Sequence, residues 1–496
     1  MKKILYKIFA FIIVYAGVIS CSDYLDINQD PDNPEEATIL DIMPVAQASS
    51  AFAISQDFNR VGSDVVQYFV GRHDAWTVTP ATASNTWRFT LYAGALKDLE
   101  TIIEKGTESE DYHFVGIAKL LKAYCFNHMV DLWDDIPYTE ALNDDIESPV
   151  FDDGAAIYDN LFTLIDEAIL DLGKTNTISL SEVDFIYGGN VAAWIRMGNT
   201  LKLKMYLQLR HVDTARAKAG IEQLVAAEQS APGTVLITSA SQDFNFYYGT
   251  STAPENRNPG FKADYVTKGE AYVNTFFYTF MTDNNDPRVP YYFFLQGDDF
   301  EGRVEGDPAP TGNDAGTRSV QGIYPCGGKY DDGSGGSVSG SSADGDGEFR
   351  MLTSFMNLFM QAEAALSINA TVSSDARTLF ENAIRLSFAE VNALSAPSIA
   401  AADIDTYVAA RLATYDATTT NEEKIELVIE ERWISQFGNG LESYSDLRRT
   451  GYPDLPAPVQ TNNVFPNRFP YPDTELSSNP NAPEQPENNV KVFWMQ

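Results

Sequence analysis

The sequence predicts a mainly α-helical protein built from tetratricopeptide-type helical hairpins, with long irregular loops and few short strands. In several segments, apolar residues recur every three or four positions, as they do on one face of an α-helix. Short polar turns separate consecutive segments of this kind, which is typical of antiparallel helix pairs. Long stretches rich in Gly, Pro, Asn, Asp and aromatic residues lie between the pairs, so a continuous solenoid with a clean repeat is not expected.

The clearest predicted pair spans residues 86–105 and 112–133. In its first helix, Trp87, Leu91 and Leu99 fall on one stripe. The other predicted helices are 155–172, 190–210, 213–228, 350–368, 375–394 and 421–437. The predicted irregular segments are 58–84, 232–266, 283–348 and 451–496.

The acidic composition limits the partners of the protein. The chain has 496 residues, with 34 basic and 70 acidic side chains and a formal net charge of −36. A surface of this charge repels phosphate backbones, so nucleic acid is excluded as a partner. It also disfavours adhesion to anionic lipid headgroups, so attachment to a membrane would need a covalent or hydrophobic anchor.

The N-terminal sequence predicts such an anchor. Three lysines precede an uncharged, mostly apolar run from Ile8 to Ile19, which is too short to span a bilayer comfortably. This pattern is typical of a secretory signal peptide, predicted over residues 1–20. The run ends at Val18-Ile19-Ser20-Cys21, which is similar to the lipobox of bacterial lipoproteins. We therefore expect Cys21 to be lipidated.

The residues after the lipobox are polar and acidic, and 21–36 are predicted to form a lipidated tether. Two other interpretations remain open for this end of the chain. It could be an ordinary signal peptide with a chance cysteine, or an N-terminal membrane anchor.

Two further cysteines lie in the body of the chain. Cys125 falls in an apolar helical segment and is interpreted as a small core residue. An oxidising compartment would permit a disulfide to Cys326, but nothing in the sequence requires one.

The sequence gives little support for a metal or cofactor site. Asp344, Asp346 and Glu348 alternate along a Gly/Ser-rich segment and could ligate calcium, but the full calcium-loop spacing is missing. A solvated acidic loop is therefore favoured. The 4 histidines lack metal-ligand spacing, and neither a phosphate-binding loop nor a nucleophile-elbow serine is found. No cofactor is predicted.

Four segments stand out in order along the chain. They are CSDYLDIN from Cys21, AKLLKAYCFNHMVDLWDDIPYTEAL at 118–142, FMNLFMQAEAAL at 355–366, and the block from Ile425 to Asn479. Together they resemble the SusD/RagB-type family of outer-membrane nutrient-binding lipoproteins. Asp134 stands where that family usually has glycine, and Leu441 where it usually has a small residue. Residues 232–350 do not align and are predicted to be a variable loop insertion in a SusD-like binding domain over 37–496.

The resemblance implies a helical scaffold, lipid-anchored on the outer membrane and facing the cell exterior. It also implies a SusC-like TonB-dependent transporter as partner and a glycan as ligand, without a catalytic step. Peptide binding is the first alternative. A surface glycoside hydrolase is the second, and it would need two carboxylates about 5–9 Å apart. A purely structural or adhesive lipoprotein is a further class.

The matching motifs also have a structural interpretation. Trp133, Pro137 and Tyr138 are predicted to end a helix and to cover its end with an aromatic ring. Buried ion pairs between helices are predicted for the arginines and acids of the C-terminal block: Arg432, Arg448, Arg449, Glu430, Glu431 and Asp446. These motifs therefore indicate the fold rather than the ligand site.

The ligand site is predicted in loops, where aromatic rings can stack on sugar rings and polar groups can bond hydroxyls. In the first candidate stretch, Trp76 is the primary choice, flanked by Arg72, His73 and Asp74. Two further candidates follow in the same stretch. Asn85 could instead cap the next helix, and the helical stripe favours a core role for Trp87.

The second candidate stretch is 243–258, where Tyr247 and Tyr248 stand beside Gly249. These rings could stack on a ligand. A short β-hairpin whose aromatic residues pack on the helices is an equal interpretation. The aromatic run Tyr291–Phe294 is predicted to be buried.

Overall fold

The computed structural model describes residues 37–71, 74–268, 271–307, 316–339 and 342–495. The predicted signal peptide, Cys21 and the acidic tether lie outside the described residues. They therefore remain predictions from the sequence.

Helices dominate the described residues. The longer helices are α1 (Ile39–Ala53), α2 (Asn59–Val65), α3 (Lys97–Glu108), α4 (Tyr112–Trp133), α5 (Gly154–Leu172), α6 (Val191–Gln208), α7 (Thr214–Ser230), α9 (Thr275–Asp283), α12 (Ser354–Ile368), α13 (Ala376–Asn392), α14 (Ala401–Ala417), α15 (Asn421–Ser435) and α16 (Gly440–Thr450). The short ones are α8 (Pro259–Phe261), α10 (Val289–Tyr292), α11 (Ile323–Cys326) and α17 (Asp473–Ser478). Other helical turns are π-helical at Ile54–Phe58, Thr86–Leu96 and Lys262–Thr267, and 3-10 at Leu209–His211 and Ala240–Gln242.

The strands are short and pair in twos. They are β1 (Phe69–Gly71), β2 (Ile136–Pro137), β3 (Phe151–Asp152), β4 (Phe244–Tyr247), β5 (Ala271–Val273), β6 (Phe293–Phe294), β7 (Val320–Gln321) and β8 (Glu348–Leu352). Within the described ranges they form antiparallel pairs β1–β5, β2–β3, β4–β8 and β6–β7. Three of the four pairs involve strands from the predicted insertion, so that segment is fastened to itself and to the scaffold.

The predicted helical hairpins are present. Helix α4 packs on α3 and α5, α6 packs on α5 and α7, and α12 packs on α13 and α15. The mainly α fold class with few short strands is confirmed. The helix starts follow local chemistry, since Asp153, Asp375 and Thr420 each accept a backbone hydrogen bond at an N-cap.

Several local predictions were wrong, and helices α1 and α9 were not predicted. The predicted irregular segment 58–84 contains α2, because a π-helical turn continues α1 into it. Residues 350–352 belong to β8 rather than to a helix, because they pair with β4 and α12 begins only at Ser354. Helix α14 was not predicted at all; it is Ala-rich, and few of its side chains are buried, so its apolar stripe is weak.

The end of α4 follows the prediction. The helix stops at Trp133, and Asp134 has a φ of +71°, a conformation that favours glycine. Glycine at this position in the resembling family fits that backbone. The Trp133 ring is buried against Trp87, with centroids 4.8 Å apart, and Tyr138 packs on Phe126 at 4.8 Å.

Helices α12, α15 and α16 meet around a buried ionic network. Arg449 donates to both oxygens of Glu363 at 2.8 Å, and Arg432 Nε lies 2.9 Å from Asp446 Oδ2. Charged groups are tolerated there because each meets an opposite charge. The predicted interhelical ion pairs of Arg432, Arg449 and Asp446 are therefore present.

Arg448 departs from that prediction, whereas Glu430 and Glu431 form interhelical ion pairs as predicted, with an arginine that the sequence did not single out. Arg448 makes no ion pair with any described residue; its guanidinium donates to the carbonyls of Asp131 and Asn467 and lies over the Trp494 ring. The Asp131 carbonyl lies in the last turn of α4, where carbonyls lack a partner within the helix, and the Asn467 carbonyl lies in the irregular C-terminal segment. Glu430 and Glu431 pair with Arg411 of α14, each at 2.7 Å.

Candidate functional site

A cavity of about 520 Å³ opens where the α1–α2 junction faces the insertion. Its walls come from four parts of the chain, residues 55–71, 248–264 and 321–349 together with Gly438, so the scaffold and the predicted insertion both shape it. The lining residues are Ser55, Gln56, Asp57, Asn59, Arg60, Ser63, Asp64, Phe69, Gly71, Tyr248, Asn258, Pro259, Gly260, Ala263, Asp264, Gln321, Pro325, Glu348, Phe349 and Gly438. Concave sites of this volume with mixed apolar and polar walls are typical of ligand pockets.

A break in helix geometry forms the scaffold wall of the cavity. Between α1 and α2 the chain makes a π-helical turn, in which Gln56 has a non-helical φ/ψ of −94° and −112°. Such turns occur frequently at functional sites. The turn exposes the side chain of Gln56 to the cavity, and Arg60 follows one turn later on α2.

Two glycines allow the backbones of α2 and α16 to pack in direct contact. A Cβ on Gly62 would lie 2.8 Å from the Gly440 carbonyl oxygen, and one on Gly440 would lie 2.4 Å from Ser63 Cα. No side chain fits between these backbones. The close contact fixes the cavity wall to the ionic network of the core, since α16 carries Asp446 and Arg449.

The insertion supplies the opposite wall and much of the apolar surface. Tyr248 lies against the scaffold, with its hydroxyl 2.6 Å from Ser55 Oγ. Phe349 is buried and Phe69 is half-buried at the cavity surface. Gln321 donates from its backbone and side chain to Asp264 Oδ2, both at 3.0 Å, so these two polar groups hold the wall together.

Gln56 and Arg60 are, with Ser63 and Asp64, the polar residues of the wall whose side chains lack a partner among the described residues. Their side chains make no hydrogen bond or ion pair with any residue in the described ranges, whereas Asp57 already accepts a hydrogen bond from Thr86. An amide and a guanidinium without partners can bond hydroxyl and carbonyl groups of a ligand at no cost to the fold.

A second, much smaller cavity of about 30 Å³ adjoins the first. Arg60, Asp64 and Gly71 line both cavities. The small one is completed by Trp76 with neighbouring loop residues and by Glu305 of the insertion. Its size fits a water-sized group rather than a sugar ring.

Two acids in the small cavity have uncompensated oxygens. Asp64 Oδ1 and Glu305 Oε2 are buried and accept no hydrogen bond. Burial raises the pKa of Asp64 to about 7, with Arg60 opposing the shift. Burial, together with the nearby Asp64 charge, raises the pKa of Glu305 to about 8.

The structure places three of the predicted ligand residues at these cavities. Tyr248 lines the large cavity, and Trp76 and Asp74 line the small one. Trp76 packs edge-on against Phe465 at 5.6 Å, with its backbone at a φ of +60°. Asp74 Oδ2 accepts two hydrogen bonds from Asn462, which ties this loop to the C-terminal segment.

The other predicted ligand residues lie elsewhere. Trp87 is only 2% exposed and packs on Trp133, so its inclusion in the ligand site is corrected to a core role. Asn85 is exposed and Tyr247 is 55% exposed, but neither lines the two cavities. The alternative hairpin is also corrected, because β4 pairs with the distant β8. Arg72 and His73 lie outside the described residues.

Sequence reasoning missed Gln56, Arg60, Asp64 and Glu305. The first three lie where the sequence predicted an irregular segment or no element, and Glu305 lies in the insertion that could not be aligned. The spacing of Arg60 and Asp64 by four positions would have placed them on one helix face, had a helix been predicted there.

The acidic segment suggested for calcium does not gather ligands. Glu348 accepts a hydrogen bond from Asn245 and lies 3.9 Å from Arg350. Across the described ranges, no three His, Cys, Asp or Glu side chains converge as a metal site would require. Cys125 and Cys326 are both buried and free, so they form no disulfide, and Cys125 is the predicted core residue.

The fold and the cavity define an α-helical binding protein, in which a rigid scaffold and variable loops enclose a ligand-sized cavity. The chain belongs to the SusD-like_2 family, described as "Starch-binding associating with outer membrane", which matches residues 31–472. The resemblance seen in the sequence is thereby confirmed. No helix in the described ranges is long and apolar enough to cross a membrane.

Solved structures show the same fold. A chitin-binding SusD homolog from Flavobacterium johnsoniae is 18% identical, with 92% of this chain and 97% of that chain covered and a TM-score of 0.70. A SusD homolog from Bacteroides uniformis is 20% identical, covering 92% and 99%, with a TM-score of 0.70. A SusD/RagB family protein from Bacteroides thetaiotaomicron is 19% identical, covering 92% and 99%, with a TM-score of 0.72. The search of curated proteins found no match.

Proposed function

We propose that the protein captures an oligo- or polysaccharide at the cell surface and delivers it to a SusC-like TonB-dependent transporter. The observation that carries the proposal is the 520 Å³ cavity, where Tyr248 and the unpaired Gln56 and Arg60 face one space. Stacking surface and free hydrogen-bonding groups are what sugar recognition requires. Family membership and the fold of a chitin-binding homolog support the same ligand class.

A binding role without catalysis is favoured over a hydrolase. The pair Asp64 and Glu305 has the raised pKa values that a general acid needs. The small cavity that both acids line, however, has a volume of only about 30 Å³, too small for the sugar ring that a glycosidase places between its carboxyl groups. We therefore assign these acids no catalytic role.

The first test is a glycan and peptide binding screen on the soluble chain from Ser22 onward, followed by calorimetry and product analysis. Saturable binding of a glycan that is recovered intact is the expected result. Recovery of shortened glycan would support the hydrolase alternative, and binding of peptides alone would replace the glycan as ligand.

The anchor and the partner are tested on the full chain in its host. We expect palmitate labelling of the wild type but not of Cys21→Ala, because the thiol takes the lipid. We also expect affinity purification of the wild type to recover a TonB-dependent transporter. Normal labelling of Cys21→Ala would refute the anchor, and purification without a transporter would refute the partnership.

A further inference from the structure

The small cavity contains acceptors that lack donors. Asp64 Oδ1 and Glu305 Oε2 are buried without a hydrogen-bond partner, and Glu305 as a whole is only 7% exposed. Leaving buried polar atoms unpaired costs about 1–3 kcal/mol each, so they normally meet a donor. A donor supplied by the ligand would remove this cost.

Acids outnumber bases among the described residues that line the small cavity. Within those residues, the ionisable groups are Arg60 and Asp64 from α2, Asp74 from the loop after β1, and Glu305 from the insertion. With every group ionised, three carboxylates face one guanidinium. Arg60 forms no ion pair with a described residue, so it does not neutralise Asp64 by direct contact. A cation is therefore the complementary guest.

The size and the donor count select the kind of cation. A volume of about 30 Å³ holds a group the size of water, as an ammonium group is. Ammonium carries three donors, which can satisfy Asp64 Oδ1 and Glu305 Oε2 and leave one for solvent or the glycan itself. Calcium prefers six to eight oxygen ligands, and the described residues gather no such set.

The small cavity adjoins the large one, because part of their lining is shared. Because Arg60, Asp64 and Gly71 line both, a sugar lying in the large cavity can direct one substituent into the small one. We propose that the small cavity is a subsite for the ammonium group of a 2-amino sugar, held by Asp64 and Glu305. The inference rests on the proposed function, because it assumes that a glycan occupies the large cavity.

The matched probes are two tetramers that differ only at nitrogen, one of glucosamine and one of N-acetylglucosamine. Acetylation removes the charge and two of the donors. In calorimetry at neutral pH, we expect the glucosamine tetramer to bind at least about tenfold more tightly to the wild type. In Glu305→Gln we expect this preference to fall to near unity, because the amide removes the negative charge but keeps the shape.

Proton release gives a second readout. The raised pKa values of Asp64 and Glu305 mean that the pair holds protons at neutral pH, and bound ammonium favours the ionised pair. At a mildly acidic pH, where the amine is already protonated before binding, the glucosamine tetramer should therefore release protons on binding, so the measured heat changes with the ionisation enthalpy of the buffer. The release should be smaller in Glu305→Gln.

Several results would overturn the subsite. Equal affinity of the two tetramers, or a preference unchanged in Glu305→Gln, means that the small cavity holds only water. Tighter binding of a lysine-containing peptide than of the glucosamine tetramer, with the same proton release, would assign the subsite to peptides. If neutral glycans bind but the glucosamine tetramer does not, the subsite fails while the proposed function stands; if no glycan binds, both fail.

Discussion

Glu363 in the helical core and Glu305 in the cavity wall are both buried glutamates, yet their pKa values are shifted in opposite directions. Burial alone would raise the pKa of Glu363, but the guanidinium groups of Arg449, Arg210 and Arg432 hold it at about 2. Burial raises the pKa of Glu305 to about 8, and the nearest charge, on Asp64, adds to the shift. One carboxylate is fully compensated within the fold, and the other is not.

The same contrast extends to the arginines of the two regions. Arg449 is buried and bonded to Glu363, whereas Arg60 is exposed and unpaired with any described residue. Paired charges in the core specify how the helices meet, while unpaired polar groups in the wall keep their hydrogen-bonding capacity for a ligand. Whether a charged residue has a partner of opposite charge, rather than which residue type it is, therefore distinguishes the scaffold from the candidate site.

The largest expected effect is the destabilisation that follows when a buried counter-charge is removed from the helical core. Glu363→Gln should lower the free energy of unfolding by about 3–5 kcal/mol, because it removes a buried counter-charge shared by two arginines. Arg449 would keep only Asp446, and Arg210 would keep no ion-pair partner among the described residues. Asp416→Asn is the matched control, since Asp416 accepts two hydrogen bonds from Arg377 in the same way but at the surface. It should cost no more than about 1 kcal/mol in urea unfolding. Similar losses in both variants would contradict the contrast.

The loop tryptophan gives the next largest effect, on affinity. Trp76→Ala should weaken glycan binding by about 1–3 kcal/mol, the scale of losing an aromatic anchor. Trp87→Ala is the control for a core tryptophan and should lower thermal stability without a specific effect on the affinity of the folded fraction. Unchanged calorimetric affinity of Trp76→Ala would remove this residue from the site.

The ionisation of Glu305 should make the free energy of unfolding depend on pH. The pKa of Glu305 in the folded protein lies above that of an ordinary glutamate. The contribution of the protonated Glu305 side chain to the free energy of unfolding is therefore complete below about pH 4.5 and is lost as the pH rises through about 8. Glu305→Gln has no such proton to lose. We expect this variant to match the wild type in acid and to be about 1–2 kcal/mol more stable at alkaline pH. A stability difference that is constant with pH would contradict the raised pKa.

The smallest effect on stability is expected at Arg60. Arg60→Ala should change the free energy of unfolding by less than about 0.5 kcal/mol, because the exposed guanidinium holds no described partner. The same substitution should still weaken glycan binding. A large loss in thermal stability would show that Arg60 stabilises the fold. Arg60 would then no longer be proposed as a ligand-binding residue.

Much of the scaffold could be predicted from the sequence. Long amphipathic helices such as α4 and α6 have strong periodic patterns, and the motif around Trp133 shows where α4 ends. Helix α14 was not predicted because it is Ala-rich and few of its side chains are buried. Helix α2 was not predicted because a π-helical turn before it interrupts the helical periodicity of the apolar residues. In both cases the tertiary context, rather than the local pattern, stabilises the helix.

The candidate site was predictable only in part. Trp76, Asp74 and Tyr248 could be found because loop aromatics and polar neighbours are visible in the sequence. Trp87 was misplaced in the site although its helical stripe indicated the core. Glu305 could not be found, because its proposed role depends on its proximity to Asp64, which is far away in the sequence. No local sequence pattern predicts proximity of that kind.

The central claim is that the 520 Å³ cavity is where the glycan binds. The most direct test is calorimetric titration of the glycan found in the screen into the wild type and into the Gln56→Ala/Arg60→Ala double variant. The control is Arg377→Ala, at a half-buried arginine that does not line either cavity. We predict unchanged folding of all three proteins and a loss of affinity of about tenfold or more only in the double variant. Equal affinity of the wild type and the double variant would contradict the assignment of this cavity as the binding site.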